Sequence, residues 1–428
     1  MPDRFRWIIV TLLFSATLLH YIDRSVIAFA ADQIQNELGL GTGQLGFVLG
    51  AFGLGYIVTA LLGGMAVSKI GTHITLAACL LVWSIATGWA GLASGLVSLC
   101  MARMVLGLAE GPSAPAMASA LNRWLPPDER ATVLAGAMVA VPLALAIGSP
   151  LVAVLINTFG WRSVFYLLCF FGVILVPVWF YFFADEPSDS PLISNQERLF
   201  IDSSQRHSGA AITTHTPTQS DWQMLLTNPT LVTNYWAFFV SGCFIFFFMS
   251  WMPKFLQDSF GLGLVQVGYI ALLPWLAAAT AVVFFGRWSD TVLKQTRNLR
   301  KARSLQIAGT QLVAAVALIP AVMYDNLYVV IASFTLAVAA SMAASATFYA
   351  VITDMVPRIA GSAMSIMTIC FAAASFIAPV VTGYALDLTG SYAVGLWALT
   401  ALALTSVIGI VLFHHPDLDR GKLMRKLA

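Results

Sequence analysis

The chain is poor in charge. Of its 428 residues only 10% are Asp, Glu, Lys or Arg, against roughly 25% in soluble domains. This shortage excludes a water-soluble enzyme, which needs far more polar surface. With 59% hydrophobic residues, a disordered chain is excluded too. Cysteine is sparse. The five present (Cys79, Cys100, Cys169, Cys243, Cys370) all fall in apolar stretches and form no CxxC or metal-ligand spacing, so a metal site is not expected. There is no Gly-rich phosphate loop ending in Lys-Ser/Thr, so ATP is not the energy source. No cofactor is expected, and no Ser/His/Asp or metalloprotease pattern points to an enzyme. Net charge is +2 and the basic residues sit in short connections, which argues against nucleic acid.

What the chain has in abundance is long apolar runs. A membrane helix needs about 20 apolar residues to cross a ~30 Å hydrocarbon core. Twelve such runs lie near 7–30, 45–67, 74–93, 96–121, 131–156, 164–183, 231–256, 265–288, 304–322, 328–352, 361–385 and 392–413. The first is too long for a cleavable leader and is interrupted by Asp23 and Arg24, so it reads as a helix that stays in the membrane. Eighteen of the 22 Lys and Arg lie in the termini and even-numbered connections. By the positive-inside rule both termini are cytoplasmic, which an even number of spans requires. The polar stretch 184–230 divides six spans from six. The expected organisation is a first half over 1–183, a cytoplasmic linker over 184–230 and a second half over 231–428. The expected fold is all-α and polytopic, with twelve transmembrane helices in two pseudo-symmetric six-helix halves.

The halves echo each other. Gly64 stands four residues before Ser68 between spans 2 and 3, and Gly286 stands four before Asp290 between spans 8 and 9. Repeated six-helix halves are a building plan of alternating-access transporters. The chain resembles the major facilitator superfamily, whose signature is this Gly-x-x-x-Asp turn. Ser68 departs from it. The resemblance implies gating roles for Gly64, Ser68, Gly286 and Asp290.

Four charges lie in the membrane interior: Asp23 and Arg24 in span 1, and Arg103 and Glu110 in span 4. Each costs ~2.5–3.5 kcal/mol at a helix centre. Together they must line a wet cavity or pair with one another. Arg103 and Glu110 are two turns apart, on one helix face, roughly 10 Å along the axis. His20, Asp23 and Arg24 cluster at i, i+3 and i+4. Arginine stays charged and its planar fork suits a carboxylate, whereas Asp and Glu can take up protons. Coupling an anion to protons requires this combination. His20 alone reads as a packing residue.

Flanking residues narrow the resemblance. Tyr21-Ile22-Asp23-Arg24, Arg103-Met104-Val105-Leu106-Gly107-Leu108-Ala109-Glu110-Gly111-Pro112, Asn122 to Arg130 and Phe159-Gly160-Trp161-Arg162 are similar to motifs of the anion:cation symporter family, which carries hexuronate, galactonate, glucarate and other organic anions. The resemblance implies that Asp23 and Glu110 are protonation sites, and that Arg24 and Arg103 handle the substrate carboxylate. It also implies that Tyr21 and Tyr56 donate hydrogen bonds in the cavity. Trp251, Ser345, Thr347, Phe348 and Thr368 match substrate-facing positions of the second half. Sugar-acid members offer amides from spans 5 and 11. Here span 5 reads Val139-Ala140-Val141-Pro142-Leu143, and span 11 has Thr368 amid Met364, Met367 and Phe371. A hydroxyl stripped of water needs a fixed partner, so the expected substrate is a carboxylate less hydroxylated than a sugar acid. The expected protein is a monomer in a bacterial inner (plasma) membrane, using the bilayer, protons and a small organic anion as partners. The competing reading is a proton-linked exporter of an amphiphilic acid, siderophore or drug.

Overall fold

The computed structural model describes residues 4–207 and 218–420; the side chains of 61–66, 131, 135, 206 and 207 lie outside the description. Among the described residues 90% are helical and none lies in a strand. In chain order the helices are α1 (Phe5–Phe29), α2 (Ala31–Leu38), α3 (Thr42–Ile70), α4 (Thr72–Leu92), α5 (Leu96–Glu110), α6 (Ser113–Trp124), α7 (Pro127–Phe159) and α8 (Trp161–Phe182). They continue with α9 (Asn195–His207), α10 (Gln219–Thr227), α11 (Pro229–Phe260), α12 (Leu264–Thr296), α13 (Leu305–Met323), α14 (Leu327–Ala343), α15 (Ser345–Met355), α16 (Ala360–Thr389) and α17 (Ala393–Phe413).

Eleven helical stretches among the described residues are long and apolar enough to cross a membrane. The twelfth is the expected fourth span, which the structure divides. Gly111 and Pro112 interrupt it between α5 and α6, because proline cannot donate to the helical ladder. The tenth span is divided likewise, at Ala344 between α14 and α15. Several other spans run past the bounds hydropathy gave them: α12 continues through polar residues to Thr296 and α7 begins at Pro127. Apolarity marks where a helix meets hydrocarbon, not where its hydrogen bonds stop.

Two compact units result: Met1–Leu40 with Ala51–Thr213, and Gly41–Gly50 with Thr214–Ala428. Helix α3 thus belongs to both. In the first unit α1 packs on α7, and α4 packs on α8 and α5. In the second, α11 packs on α16, α12 on α14, and α13 on α17 and α14. The polar stretch 184–230 is partly helical, containing α9 and α10. Glu197 of α9 is buried and accepts from the backbone N–H of Phe5 at 2.8 Å and from Arg6 Nη1 at 2.9 Å. It thereby caps α1 with the negative charge that a helix N-terminus favours.

Tight turns fix the helix pairs. Gly71 and Gly160 separate α3 from α4 and α7 from α8, with φ of 82° and 77°. That conformation favours glycine. Just beyond Gly160, Trp161 Nε1 and Arg162 Nε donate to the two carboxylate oxygens of Glu37, at 2.7 and 2.9 Å. The sequence motif here is therefore a clamp joining α2 to α8. Helices α3 and α5 approach at glycine: a Cβ on Gly55 would strike the Met104 carbonyl oxygen, and one on Gly107 would strike that of Phe52. Small residues of this kind let membrane helices close without a hydrophobic drive.

Two predictions follow from this packing. Gly107→Val forces α3 and α5 apart, since backbone cannot yield as a side chain does. Overpacking of this kind costs ~1–3 kcal/mol or more, and a lowered thermal unfolding midpoint in lipid nanodiscs checks it. The second prediction concerns Glu37, whose hydrogen bonds from Trp161 and Arg162 hold it below the usual carboxylate range. A depressed folded-state pKa adds stability above the unfolded value of about 4.3 and loses it as pH falls through the folded value. The thermal midpoint of Glu37→Gln is therefore expected to fall less steeply on acidification than that of the unaltered protein, and parallel slopes would count against the clamp.

Candidate functional site

The first unit gathers its interior charges into one cluster. Asp23, Arg24, Arg103 and Glu110 are each at most 3% exposed. Their placement follows from helix periodicity: Asp23 and Arg24 leave α1 on adjacent faces, and Glu110 ends α5 just before the Gly111–Pro112 break. Glu110 Oε2 is the hub. Arg24 Nε donates to it at 2.6 Å, and His20 Nε2 lies 2.7 Å from the same oxygen. The His20 contact has ion-pair distance but lacks hydrogen-bond alignment. Charge-assisted pairs of this length are among the stronger polar contacts.

Aromatic rings close around the guanidinium groups. The Arg24 guanidinium carbon stands 4.3 Å from the ring centroid of Phe52, 5.0 Å from that of Tyr56 and 5.1 Å from that of Tyr21. The Arg103 guanidinium stands 5.5 Å from the same Phe52 ring. Phe52 thus lies against both cations, in the arrangement that ring quadrupoles favour. The expected role of Tyr21 and Tyr56 was hydrogen-bond donation; here they offer Arg24 their ring faces.

Several buried charged atoms lack a well-aligned hydrogen-bond partner: Glu110 Oε1, Arg24 Nη1, Arg103 Nε and Nη1, and both Asp23 oxygens, beside which the Thr87 hydroxyl lies. Ordinary salt bridges would satisfy these groups. The set therefore retains two guanidinium edges able to take a carboxylate and two carboxyl groups able to take protons.

In the second unit the selected residues behave differently from one another. Trp251 is fully buried and its indole donates to the Pro379 carbonyl at 3.1 Å. Phe348 is fully buried against Phe238, with centroids 5.4 Å apart. Thr347 is buried and its hydroxyl has no partner. Ser345 and Thr368 are half-buried, and the Thr368 hydroxyl turns back to the Met364 carbonyl at 2.9 Å. Residue-type reasoning passed over Asn234 and Tyr235. Asn234 donates to the Phe348 carbonyl at 3.2 Å, while its own Oδ1 and the buried Tyr235 hydroxyl are unpartnered. The missed signal was a polar pair within an apolar span, since only full charges had been weighed against the membrane. His20, which the sequence alone reads as a packing residue, instead lies against Glu110, a partner on another helix.

The turn residues also divide. Gly64 lies outside the described side chains, and Ser68 is exposed at the end of α3. Gly286 is half-buried in α12. Asp290 pairs with Arg303 at 2.9 Å, and Arg303 also meets Asp354 at 3.1 Å and the Ser289 hydroxyl at 2.6 Å. Near Ser68 the carboxylate comes from elsewhere: Asp185, beyond α8, accepts from the backbone N–H of Thr72 and of His73 at 2.7 and 2.9 Å, capping α4. No group of three or more His, Cys, Asp and Glu residues suited to a metal occurs among the described residues.

Such a helical, multi-pass architecture with ionisable groups clustered between its helices is that of a membrane protein, and the family it matches is one of transporters, not enzymes. Residues 13–379 match the model of the Major Facilitator Superfamily, and the chain belongs to that family. It is 28% identical over 415 residues to the hexuronate transporter of Bacillus subtilis, covering 96% of this chain and 95% of that one. It is 30% identical over 420 residues to a probable sulfoacetate transporter of Cupriavidus necator, covering 95% of each. Among solved structures, the D-xylose–proton symporter superposes with a TM-score of 0.75 at 14% identity, covering 96% of this chain and 98% of that one. A bacterial homologue of the human lysosomal transporter Spinster gives 0.74 at 16% identity, covering 99% and 98%. These likenesses establish the same fold.

The hub generates a double-mutant prediction. Arg24→Ala leaves the Glu110 carboxylate buried without its guanidinium, a loss worth ~3–5 kcal/mol for a buried pair. Adding Glu110→Gln removes the stranded charge, so the double variant is expected to be more stable than Arg24→Ala alone. Thermal unfolding of the three variants measures this. Strictly additive losses would mean that the pair is not coupled.

Proposed function

We propose that the protein is a secondary active transporter that moves a small organic anion together with protons by alternating access. One observation carries the reading: two carboxyl groups and two guanidinium groups are buried together, with atoms on all four that lack a well-aligned hydrogen-bond partner. When Asp23 and Glu110 take up protons, the guanidinium groups of Arg24 and Arg103 lose their competing counter-ions. A substrate carboxylate then becomes their best partner. The empty site sums to zero, with two carboxylates against two guanidiniums. Each proton taken up adds one positive charge that one anionic group of the substrate cancels. Protons and anion entering together therefore keep the site near neutral and lower the cost of carrying it through an apolar barrier. In this reading the halves 1–183 and 231–428 rock about the site, joined by 184–230. Gly64, Ser68, Gly286 and Asp290 act at the moving turns.

The substrate class draws support from relatives named for hexuronate, galactarate/D-glucarate and sulfoacetate transport. All are compact anions. The apolar run Val139 to Leu143 in α7 favours one with fewer hydroxyls than a sugar acid. Tyr21 and Tyr56 shape the guanidinium side of the site, and Trp251, Ser345, Thr347, Phe348 and Thr368 shape selectivity from the second unit. In this reading both termini are cytoplasmic, an orientation that the distribution of basic residues supports, and the protein works as a monomer in a plasma membrane, the inner one in a bacterium. The same apolar run would admit an amphiphilic acid, and with it export. Flux in inverted vesicles separates the two directions.

Uptake into proteoliposomes, with sulfoacetate and glucuronate as probes, tests the proposal. Under an inward proton gradient, Glu110→Gln is expected to lose accumulation while retaining counterflow exchange, and Arg103→Ala to lose binding. Loss of both activities in a correctly folded Glu110→Gln variant would contradict a coupling role, and unchanged kinetics in Arg103→Ala would remove it from the site. Micromolar uptake of glucuronate would overturn the inference of a less hydroxylated substrate.

A further inference from the structure

Glu110 Oε2 has two nitrogen partners of unlike chemistry. Arg24 Nε, at 2.6 Å, belongs to a group that keeps its charge. His20 Nε2, at 2.7 Å, belongs to one that gains and loses a proton near neutral pH. Two electronegative atoms this close need a proton between them, and the separation lies within the roughly 2.6–3.2 Å over which proton transfer occurs. The imidazole is confined: His20 is 8% exposed, stacks on Tyr21 with centroids 5.0 Å apart, and lies 5.6 Å from Trp83. His20 Nε2 has no hydrogen-bond partner elsewhere, so the Glu110 carboxyl is the group placed to share its proton.

We propose that His20 is the proton acceptor for Glu110, and that the imidazole–carboxyl pair titrates as one unit. This deepens the transport reading above and rests on it. The step is a simple exchange. The O–H bond of the Glu110 carboxyl breaks, an N–H bond forms at His20 Nε2, and a carboxylate facing an imidazolium remains. No other reactant is needed. While the proton sits on His20, Arg24 Nε holds the carboxylate in place. The other ionisable groups facing the cluster are Asp23, Tyr21 and Arg24 on α1, Tyr56 on α3, Cys79 on α4, Arg103 on α5 and Cys169 on α8. Helices α6 and α7 also pack on α1, but the acidic residue α7 brings to it, Glu129, meets Arg6 at the far end of α1. Of the groups around Glu110, only His20 combines contact with the carboxylate and a ring nitrogen able to accept its proton. Coupled groups of this kind release protons in steps belonging to the pair.

Trp83 provides a readout that needs no substrate, because an imidazolium quenches a neighbouring indole. Purified full-length protein is titrated with acid in nanodiscs. The difference between its emission and that of Trp83→Phe isolates the Trp83 signal. The expected result is that this signal falls on acidification, that the fall is lost in His20→Gln, and that its midpoint moves in Glu110→Gln. His20→Asn repeats the test should His20→Gln misfold. A Trp83 signal insensitive to pH, a fall that persists in both His20 variants, or a midpoint unmoved by Glu110→Gln would each overturn the proposal. Because no anion is present, failure here leaves the transport reading standing. Failure of the uptake assays likewise leaves the titration to be read on its own.

Discussion

The structure turns on a carboxylate that cannot be left alone. Glu110 has no exposed surface, and an isolated charge in hydrocarbon is too costly to persist. Its survival requires α1 to deliver Arg24 and His20 to one oxygen. That requirement fixes the rotation of α1 against α5 and carries Asp23 inward beside them. It also explains the close glycine contact between α3 and α5. Phe52 and Tyr56 can reach the Arg24 guanidinium only if their helix lies almost backbone to backbone with the one that bears Glu110. Packing and electrostatics here are one constraint: widening the Gly55–Gly107 contact would pull the aromatic rings from the cations they face.

The two units divide their polar resources unequally. The first holds the interior charges, whereas the second offers neutral polar atoms, at Asn234, Tyr235 and Thr347. Charges that change protonation need a rigid frame of counter-ions. Neutral donors and acceptors suit the recognition of an uncharged part of a ligand, where loss of a partner is costly without being prohibitive. The breaks in the fourth and tenth spans, at Gly111–Pro112 and Ala344, fall close to these two sets, so each unit interrupts a helix near its polar atoms.

Much of the fold was legible because the bilayer imposes a simple rule on sequence. Apolar length gave the spans, and basic residues gave an expected orientation. Broken helices were less legible. Gly111 and Pro112 announce their break, while Ala344 is a good helix former and yields only to tertiary packing. The charged cluster was legible as a set of residues that cannot face lipid. Its internal wiring was not, because pairing depends on helix rotation. Nothing in the order His20, Asp23, Arg24 says which of them meets Glu110. The same holds for the Gly-x-x-x-Asp turns. Asp290 finds Arg303 as a local partner, whereas the cap on α4 comes from Asp185, over a hundred residues further along the chain.

The most direct test of the central claim is proton movement itself. Proteoliposomes loaded with a pH-sensitive dye and given sulfoacetate, without an imposed gradient, report whether protons accompany the anion. The account predicts acidification of the interior in step with anion entry, absent in Glu110→Gln. Anion entry with no change in internal pH would contradict it.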